Sequence, residues 1–552
     1  MSESPKARHG GQSLVDALAR NGVDTVYCVP GESFLPVLDA LHDAGSIKTI
    51  VTRHEGAASN MADAYGKLTG RPGICFVTRG PGATHAANGV HTAMQDSTPM
   101  ILFVGQIDNG FRDREAFQEV DYRHMFGGLA KWATEIDRVE RIPEIIAKAF
   151  SIALSGRPGP VVIGLPEDVL FGEAPEIPPP VARITQAAPA PAALDELKTL
   201  LSAAKQPLVI LGGTGWNDAA CADFAQFVSA WNLPVAASFR RQDLFDNRDA
   251  HYCGMIGLGL SPKLGERAKS ADLLLVIGSR LSETTSQGYA LFKSPVTDQL
   301  LIHVHPDPDE LGRVYHARLP INAGMRTFAA ALAKLAPPSS VGWSAWTEAA
   351  RQDYLAHSTP PKLDERHQGV DFAQVVYHLS ETLPEDAVIA NGAGNYTVWV
   401  HRFYRYRKPG TELAPTNGAM GYGFPAGIAA KLQDPARTVI AFAGDGCFMM
   451  YPQELATAMQ FEAPLIVIVV NNGMLATIRM HQEREYPGRV SGTKLVNPDF
   501  VAFARSFGAY GECVERTEDF PAAFARAQAA GTAALIELRV DPRQITPQLF
   551  MV

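Results

Sequence analysis

Short apolar runs that alternate with helical stretches constrain the fold of this 552-residue chain more than any other feature of its sequence. Representative runs occupy residues 100–105, 272–279 and 465–472, and they lack polar alternation. Strands that are covered by helices on both faces have this composition, because neither face meets water. The pattern therefore predicts βαβ units and an α/β fold with three doubly wound parallel-sheet domains.

Two stretches rich in proline divide the chain into three blocks of comparable size. Ala174–Ala193 is predicted to be an extended linker, and Ala336–Asp371 a second and less sharply defined one. The predicted domains are residues 9–173, 190–337 and 368–552. In such domains ligands bind at the carboxyl ends of the strands.

Charge and composition argue against several classes of protein. With 49 Lys and Arg against 58 Asp and Glu, the net charge is −9, and no basic stripe is present. Nucleic acid and anionic membrane surfaces are therefore not expected as partners. The longest aliphatic run, Leu465–Val470, is far shorter than the ~20 residues of a membrane span. The polar first residues and the six cysteines without CxxC spacing predict a cytoplasmic protein.

The strongest chemical signal lies after two neighbouring apolar runs of the last block. Gly444-Asp445-Gly446 follows one run, and Asn471-Asn472 follows the next. Each motif alone is typical of an ordinary turn. If the two strands are neighbours, however, Asp445 and Asn472 emerge at the same sheet edge. A carboxylate and an amide oxygen there suit Mg²⁺ that also binds a phosphate, and the glycines allow a phosphate to approach the backbone.

This spacing resembles the motif of thiamine diphosphate (ThDP) enzymes, and the resemblance extends over nearly the whole chain. It implies that Asp445, Asn472 and the backbone carbonyl of Met474 bind Mg²⁺. It also implies further cofactor contacts, namely Gly394, Asn395, Gly418, Met420, Gly444, Gly446, Cys447 and Leu475. Among these, Met420 matches the bulky residue that holds ThDP bent, and the Gly418 carbonyl matches the acceptor for its amino group. Without the resemblance, Met420 would be interpreted as core filler.

Glu55, in the segment Arg53–Ala58, is predicted to lie in the first turn of a helix. A carboxylate is common there because the helix dipole favours it. The resemblance implies instead that Glu55 is the activating glutamate, which hydrogen-bonds the cofactor pyrimidine and promotes loss of the thiazolium C2 proton. It further implies that Glu55 and Asp445 serving one cofactor come from different subunits. The expected assembly is then a homodimer at least, and commonly a tetramer.

Within that superfamily the chain is most similar to the acetolactate synthase branch, in segments 79–106, 116–121 and 155–169. The match implies that Phe117, Gln118 and Lys131 line the substrate channel, with Gln118 among the catalytic residues. The alternatives are a core aromatic residue, a surface amide and a solvated lysine.

Two positions depart from the branch. Thr284 stands where the branch has an arginine that binds the carboxylate of the second substrate, with Arg280 close by. His481 stands where it has a tryptophan, and could be a proton shuttle or simply a polar residue on a helix. FAD in the central domain is implied by the branch, on Arg280 and the glycines of residues 211–215. An empty nucleotide-like domain is the equal alternative.

These sequence features lead to three alternative hypotheses about function. The first is ThDP- and Mg²⁺-dependent decarboxylation and carboligation of a 2-oxo acid, converting pyruvate to acetolactate. The second is a ThDP-dependent lyase or non-oxidative decarboxylase acting on another 2-oxo acid or a 2-hydroxyacyl substrate, which the changes at Thr284 and His481 favour. The third is a ThDP-fold binding protein without catalysis, against which the intact set of Glu55, Asp445 and Asn472 argues.

Overall fold

The computed structural model describes residues 8–362 and 367–551 and contains three parallel six-stranded sheets. The prediction of three parallel-sheet α/β domains is confirmed. The chain forms two compact units. The first extends up to Thr185 and includes Ile428–Gln433 and Tyr451–Ala463; the second comprises Gln186–Gly427, Asp434–Met450 and the chain from Pro464 onward. The first sheet thus belongs to one unit, and the other two sheets share the second.

The first sheet has the strand order β2-β1-β3-β4-β6-β5. Its strands are β1 (Thr25–Cys28), β2 (Lys48–Val51), β3 (Gly73–Val77), β4 (Met100–Gln106), β5 (Trp132–Glu135) and β6 (Pro160–Pro166). The helices of this part of the chain are α1 (Gly10–Arg20), α2 (Leu35–Asp43), α3 (Glu55–Thr69), α4 (Arg79–Asp96), α5 (Tyr122–Phe126), α6 (Ile142–Leu154) and α7 (Glu167–Phe171).

The second sheet has the order β12-β11-β10-β7-β8-β9. Its strands are β7 (Pro207–Leu211), β8 (Val235–Ser238), β9 (Tyr252–Ile256), β10 (Leu273–Ile277), β11 (Leu300–His305) and β12 (Leu319–Asn322). Its helices are α8 (Pro191–Ala203), α9 (Asp218–Trp231), α10 (Pro262–Ser270), α11 (Met325–Leu332) and α12 (Ser344–His357).

Helix α12 lies within the stretch that was expected to be the second linker. Trp343, just before it, and Tyr354 within it are both buried in the core of the second sheet. The indole N–H of Trp343 also donates a hydrogen bond to the Asn232 carbonyl at 2.9 Å. The proline pairs therefore flank a packed helix, and the linker prediction is wrong for residues 344–357. Residues 363–366 of the same stretch lie outside the described part of the chain.

The third sheet has the order β14-β13-β15-β16-β18-β17, which repeats the connection pattern of the first. Its strands are β13 (Val388–Asn391), β14 (Glu412–Leu413), β15 (Val439–Gly444), β16 (Ile466–Asn471), β17 (Tyr510–Val514) and β18 (Ala534–Arg539). The helices of this part of the chain are α13 (Phe372–Thr382), α14 (Tyr396–Phe403), α15 (Gly423–Gln433), α16 (Asp445–Phe448), α17 (Leu455–Gln460), α18 (Ala476–Glu485), α19 (Phe500–Ser506) and α20 (Phe520–Ala529).

The apolar runs of the last block form the central strands of this sheet. Phe442 on β15 and Ile468 on β16 are paired in register and fully buried in one core. Helices cover both faces of the sheet, so the strands carry apolar side chains on both sides. Among the described helices of all three domains, none combines the length and apolar character that a membrane crossing requires.

A buried pair of carboxyl groups, Asp243 and Glu412, lies within the second unit. Asp243 Oδ2 accepts a hydrogen bond from the Gly410 N–H at 2.9 Å, and Glu412 Oε2 accepts one from the Gln242 N–H at 2.7 Å. Burial, and then the negative charge of Asp243, raise the pKa of Glu412 to about 8. Glu412 therefore keeps its proton at neutral pH in the folded protein.

We expect Glu412→Gln to flatten the dependence of stability on pH. Between its ordinary pKa of 4.5, which applies to the unfolded chain, and its folded pKa, Glu412 binds a proton only in the folded state, so stability falls as pH rises through this window. A permanently neutral Gln removes that fall, of which the part between about pH 5.5 and the folded pKa is worth roughly 3 kcal/mol. Thermal unfolding from about pH 5.5 to about pH 9 measures it. The exposed Glu381→Gln is the control, and an unchanged pH slope in Glu412→Gln would contradict the assignment.

Candidate active site

The ends of β15 and β16 bring the two polar motifs of the last block together. Gly444 pairs with Val470 in the sheet, so Asp445 and Asn472 follow adjacent strand ends. Asp445 Oδ2 accepts a hydrogen bond from the Gly473 N–H at 2.9 Å. The side-chain oxygen of Asn472 accepts one from the Met474 N–H at 3.2 Å. Gly473 has a φ of +67°, a conformation that glycine adopts without strain. The turn thus places Asp445 against the segment 472–474.

The environment of Asp445 favours a nearby cation. Burial raises the pKa of Asp445, while hydrogen bonds from the Asn497 side chain and from the Gly446 and Gly473 N–H groups lower it. The Asn497 amide donates to Oδ2 at 2.8 Å. A bound cation would offset the cost of burying this charge. A carboxylate, the amide oxygen of Asn472 and a backbone carbonyl form a donor set that fits Mg²⁺ with phosphate oxygens as the remaining ligands.

A cavity of about 240 Å³ opens at this sheet edge. It is lined by every cofactor contact expected in the last block: Gly394, Asn395, Gly418, Met420, Gly444, Asp445, Gly446, Cys447, Asn472, Met474 and Leu475. At Gly446 a Cβ atom would lie 2.8 Å from Leu475, so a side chain there would collide with the lining. The residues that line this cavity are therefore the ones that the sequence assigned to the cofactor.

Two helices start at the cavity. Helix α14 begins directly after Gly394 and Asn395, and helix α18 begins directly after Leu475. The first N–H groups of a helix have no partner within it, and the helix dipole adds positive potential at this end. These N-termini suit an anionic group such as a diphosphate. The positive potential at this end of the cavity thus suits a diphosphate tail such as that of ThDP.

Sequence reasoning missed two residues that shape this cavity. The Thr477 hydroxyl donates a hydrogen bond to the Asn395 side-chain oxygen at 2.9 Å and accepts one from the Asn395 N–H at 3.0 Å. The Tyr396 hydroxyl accepts one from the Gly392 N–H at 2.9 Å and lies 3.5 Å from the Cys447 sulfur. The position of Thr477 could have been predicted from the sequence, because it lies in the first turn of α18, the helix that follows the Asn471-Asn472 motif. The contact of Tyr396 with Cys447 depends on a separation of 51 residues.

Glu55 starts helix α3 in the first unit, as predicted. His54 caps this helix, and its Nδ1 accepts a hydrogen bond from the Gly56 N–H at 3.0 Å. The Glu55 carboxylate is 15% exposed and lies 2.8 Å from Nδ1 of His85, on α4. The pairing with His85 was not foreseen from the sequence.

The residues expected to line a substrate channel differ in their surroundings. Gln118 has a left-handed φ of +65°, and its side-chain Oε1 is buried without a hydrogen-bond partner among the described residues. Strain and an unpartnered polar atom together are typical of a functional position. Phe117 is 73% exposed, which excludes the alternative of a core aromatic residue in this chain. Lys131 Nζ donates to the carbonyls of Ile152 and Ser155, at 2.6 and 2.7 Å, which ties it to the end of α6.

The two departures from the branch lie in the second unit. His481 is exposed on α18, with its Nδ1 2.9 Å from an Arg484 guanidinium nitrogen. The residues of α18 that line the cavity are Ala476, Thr477 and Ile478, and His481 is not one of them. Thr284 is partly buried, and its carbonyl accepts a hydrogen bond from the Gln287 side chain at 3.1 Å.

Comparison with known families finds three matches along the chain. Residues 8–125 match the N-terminal TPP binding domain of thiamine pyrophosphate enzymes, 194–332 match the central domain, and 392–538 match the C-terminal TPP binding domain. Together with the cavity, these matches define an enzyme that depends on ThDP.

Comparison with individual relatives identifies the family within these enzymes. It is 32% identical to the acetolactate synthase large subunit of Parasynechococcus marenigrum (strain WH8102), over 98% of this chain and 88% of that protein. It is 31% identical to the large subunit from Corynebacterium glutamicum, over 96% of this chain and 86% of that protein. It is 29% identical to the acetolactate synthase isozyme 2 large subunit of Escherichia coli K12, over 93% of this chain and 92% of that protein. The chain belongs to the acetolactate synthase family of ThDP-dependent enzymes.

Proposed function

We propose that this enzyme catalyses ThDP- and Mg²⁺-dependent decarboxylation and carboligation of 2-oxo acids, converting pyruvate to acetolactate. The observation that carries the proposal is the cavity at the ends of β15 and β16, which is lined by all the cofactor contacts expected in the last block. The names of the relatives, acetolactate synthase large subunits, supply the reaction.

In this proposal the residues of the cavity hold the cofactor. Asp445, Asn472 and the carbonyl of Met474 would hold Mg²⁺, and the N-termini of α14 and α18 would bind the diphosphate. Met420 would support the bent shape of the cofactor, and the Gly418 carbonyl would accept a hydrogen bond from its amino group. Bound ThDP supplies an electron sink for decarboxylation.

Glu55 and Gln118 act in the first unit. Glu55 would exchange a proton with the cofactor pyrimidine, a role that suits its largely enclosed carboxylate. Gln118 would contact the substrate, because its side-chain oxygen is buried and has no described partner to satisfy it.

We also propose the domain limits 9–173, 190–337 and 368–552, a homodimer or tetramer as the active form, and a cytoplasmic location. The oligomer follows from the family arrangement in which two subunits complete each site. Sedimentation of the purified protein measures it, and a monomer that is fully active would contradict it.

FAD in the central domain is not supported by its donor set. The guanidinium Nε of Arg280 lies 3.4 Å from the buried carboxylate of Glu310. A Cβ atom at Gly213 would lie 2.1 Å from the Gly278 carbonyl, which shows that the backbone is closely packed at this turn. Arg280 is thus already paired with a carboxylate in this chain, and we derive no step through a flavin. The visible absorption spectrum of the purified protein tests this, and a yellow protein would overturn it.

A second candidate function is a ThDP-dependent lyase or non-oxidative decarboxylase with another 2-oxo acid or a 2-hydroxyacyl substrate. Thr284 favours it, because a hydroxyl cannot replace the bidentate contact of an arginine with the carboxylate of a second substrate. His481 does not line the cavity among the described residues, and its role as a proton shuttle stays a prediction.

Incubation of the holoenzyme with pyruvate separates the two candidates. We expect acetolactate to form with ThDP and Mg²⁺ present, and none to form with Glu55→Gln. Release of CO₂ and aldehyde from a panel of 2-oxo acids, with no acetolactate, would favour the second candidate. A Thr284→Arg variant is the matched probe, since restoring the guanidinium should increase carboligation relative to decarboxylation.

A further inference from the structure

The carboxylate of Glu55 and the imidazole of His85 form a pair across helices α3 and α4. Nδ1 of His85 lies 2.8 Å from Oε2 of Glu55. The His85 side chain is 52% exposed, whereas the Glu55 side chain is 15% exposed. In the single chain, the imidazole therefore lies between an enclosed carboxylate and solvent.

A second histidine, His54, lies against His85 with the ring centroids 4.5 Å apart. Its Nδ1 accepts the Gly56 N–H, so the proton of the neutral ring is on Nε2. Burial, and then the neighbouring His85, lower the pKa of His54, while Glu55 raises it. Because Nδ1 accepts the hydrogen bond from the Gly56 N–H, His54 has no Nδ1 proton to donate to Glu55.

We propose that His85 positions the carboxylate of Glu55 and carries its proton exchange with solvent. The inference rests on the proposed function of Glu55 and deepens it. His85 donates its Nδ1 proton to Glu55 Oε2, which leaves Nε2 as an acceptor that faces water. When the Nδ1 proton moves to the carboxylate, Nε2 takes up a proton from water. The imidazole ends neutral, the carboxyl group ends protonated, and one proton has entered from solvent.

The other titratable groups near Glu55 are engaged or unsuited to this role. Burial raises the pKa of Glu454, whose carboxylate accepts hydrogen bonds from the Arg53 N–H. Burial also raises the pKa of Tyr451, which hydrogen-bonds Asn88. Cys75 is fully enclosed, and burial raises its pKa well above the ordinary value. His85 is thus the group around Glu55 that combines contact with the carboxylate and exposure to water.

The same cluster could be read as a metal site, because ligand atoms of His54, Glu55 and His85 lie within 4.8 Å of one another. Binding through Nδ1 of His54 would displace the helix cap at Gly56. Binding through Nε2 would require a proton on Nδ1, which would face the Gly56 N–H. The geometry favours the hydrogen-bonded pair.

The pair can be tested without cofactor or substrate. In apoprotein labelled with ¹⁵N-histidine, the ring nitrogens report which of them carries the proton, and His85→Gln assigns the signal among the 15 histidines. We expect His85 to carry its proton on Nδ1, and Glu55→Ala to move it to Nε2. A proton on Nε2 in the unmodified protein, or a tautomer that ignores Glu55→Ala, would overturn the proposal.

Hydrogen–deuterium exchange at C2 of bound ThDP tests the proton route. We expect His85→Ala to slow this exchange by about tenfold or more, and added imidazole to restore it, because the exposed site leaves room for the free base. His91→Ala is the control, because His91 is exposed on the same helix but lies roughly 240° around the helix axis from His85. The C2 proton of bound ThDP should exchange at the normal rate in this variant. Helical alanine is well tolerated, so the variant should fold.

The outcomes separate this inference from the proposed function. If Glu55→Gln slows the exchange and His85→Ala does not, the role of His85 is wrong and that of Glu55 stands. If Glu55→Gln leaves the exchange unchanged, the proposed function itself fails. Slow exchange in His85→Ala that imidazole does not restore would limit His85 to a structural contact and overturn the proton route.

Discussion

Asp445→Asn should raise the Mg²⁺ concentration for half-maximal activity by about 100-fold or more, since a direct ligand should cost at least as much as the 10- to 100-fold of an outer-shell contact. The substitution keeps the size of the side chain but removes the negative charge that is buried beside the turn at Gly473. A hard divalent cation depends on that charge. Titration of apoenzyme with Mg²⁺ at saturating ThDP measures the effect.

Glu537→Gln is the matched control for this experiment. Glu537 is a buried carboxylate on the adjacent strand β18, and it accepts a hydrogen bond from the Asn471 side chain at 2.7 Å. It does not line the cavity among the described residues. We expect its neutralisation to leave the Mg²⁺ requirement within about threefold, because it removes no ligand of the cation. Equal Mg²⁺ requirements in Asp445→Asn and the unmodified enzyme would show that Asp445 is not a ligand.

The fold and the cavity of the second unit could be predicted because local pattern determines both. A run such as Leu465–Val470 has no face that tolerates water, so it becomes a central strand. Once β15 and β16 are neighbours, the residues that follow them meet at one edge. The position of Asp445 against Gly473 is then a consequence of parallel pairing, and no long-range information is needed.

Features that depend on contacts between distant segments were not predictable. Helix α12 is flanked by prolines, and only the packing of Trp343 and Tyr354 in the core of the second sheet shows why it is helical. Lys131 is aimed at the end of α6 by the pairing of β5 with β6, which the sequence does not reveal. His85 pairs with a residue 30 positions away. A histidine in a glycine-rich helix gives no sign of this contact in the sequence alone.

Glu55→Gln should slow C2 hydrogen–deuterium exchange on bound ThDP by about 100-fold or more, the range that general acid–base groups contribute. The amide keeps the size and polarity of the side chain but can neither release nor take up the proton. Quenched-flow exchange followed by NMR measures the rate directly, without substrate. ThDP affinity should change much less, since the cavity of the second unit supplies the remaining contacts.

Glu454→Gln is the control, because it neutralises a nearby carboxyl group at a different position from Glu55. Glu454 belongs to the same unit and hydrogen-bonds the Arg53 N–H, two residues before Glu55. Gln keeps the size of this side chain and an oxygen that can accept the hydrogen bond from the Arg53 N–H. We expect normal exchange in Glu454→Gln, and equally slow exchange in both variants would point to damage at the start of α3. Slow exchange confined to Glu55→Gln assigns the proton transfer to that carboxylate, as only its protonation state separates the variant from the enzyme.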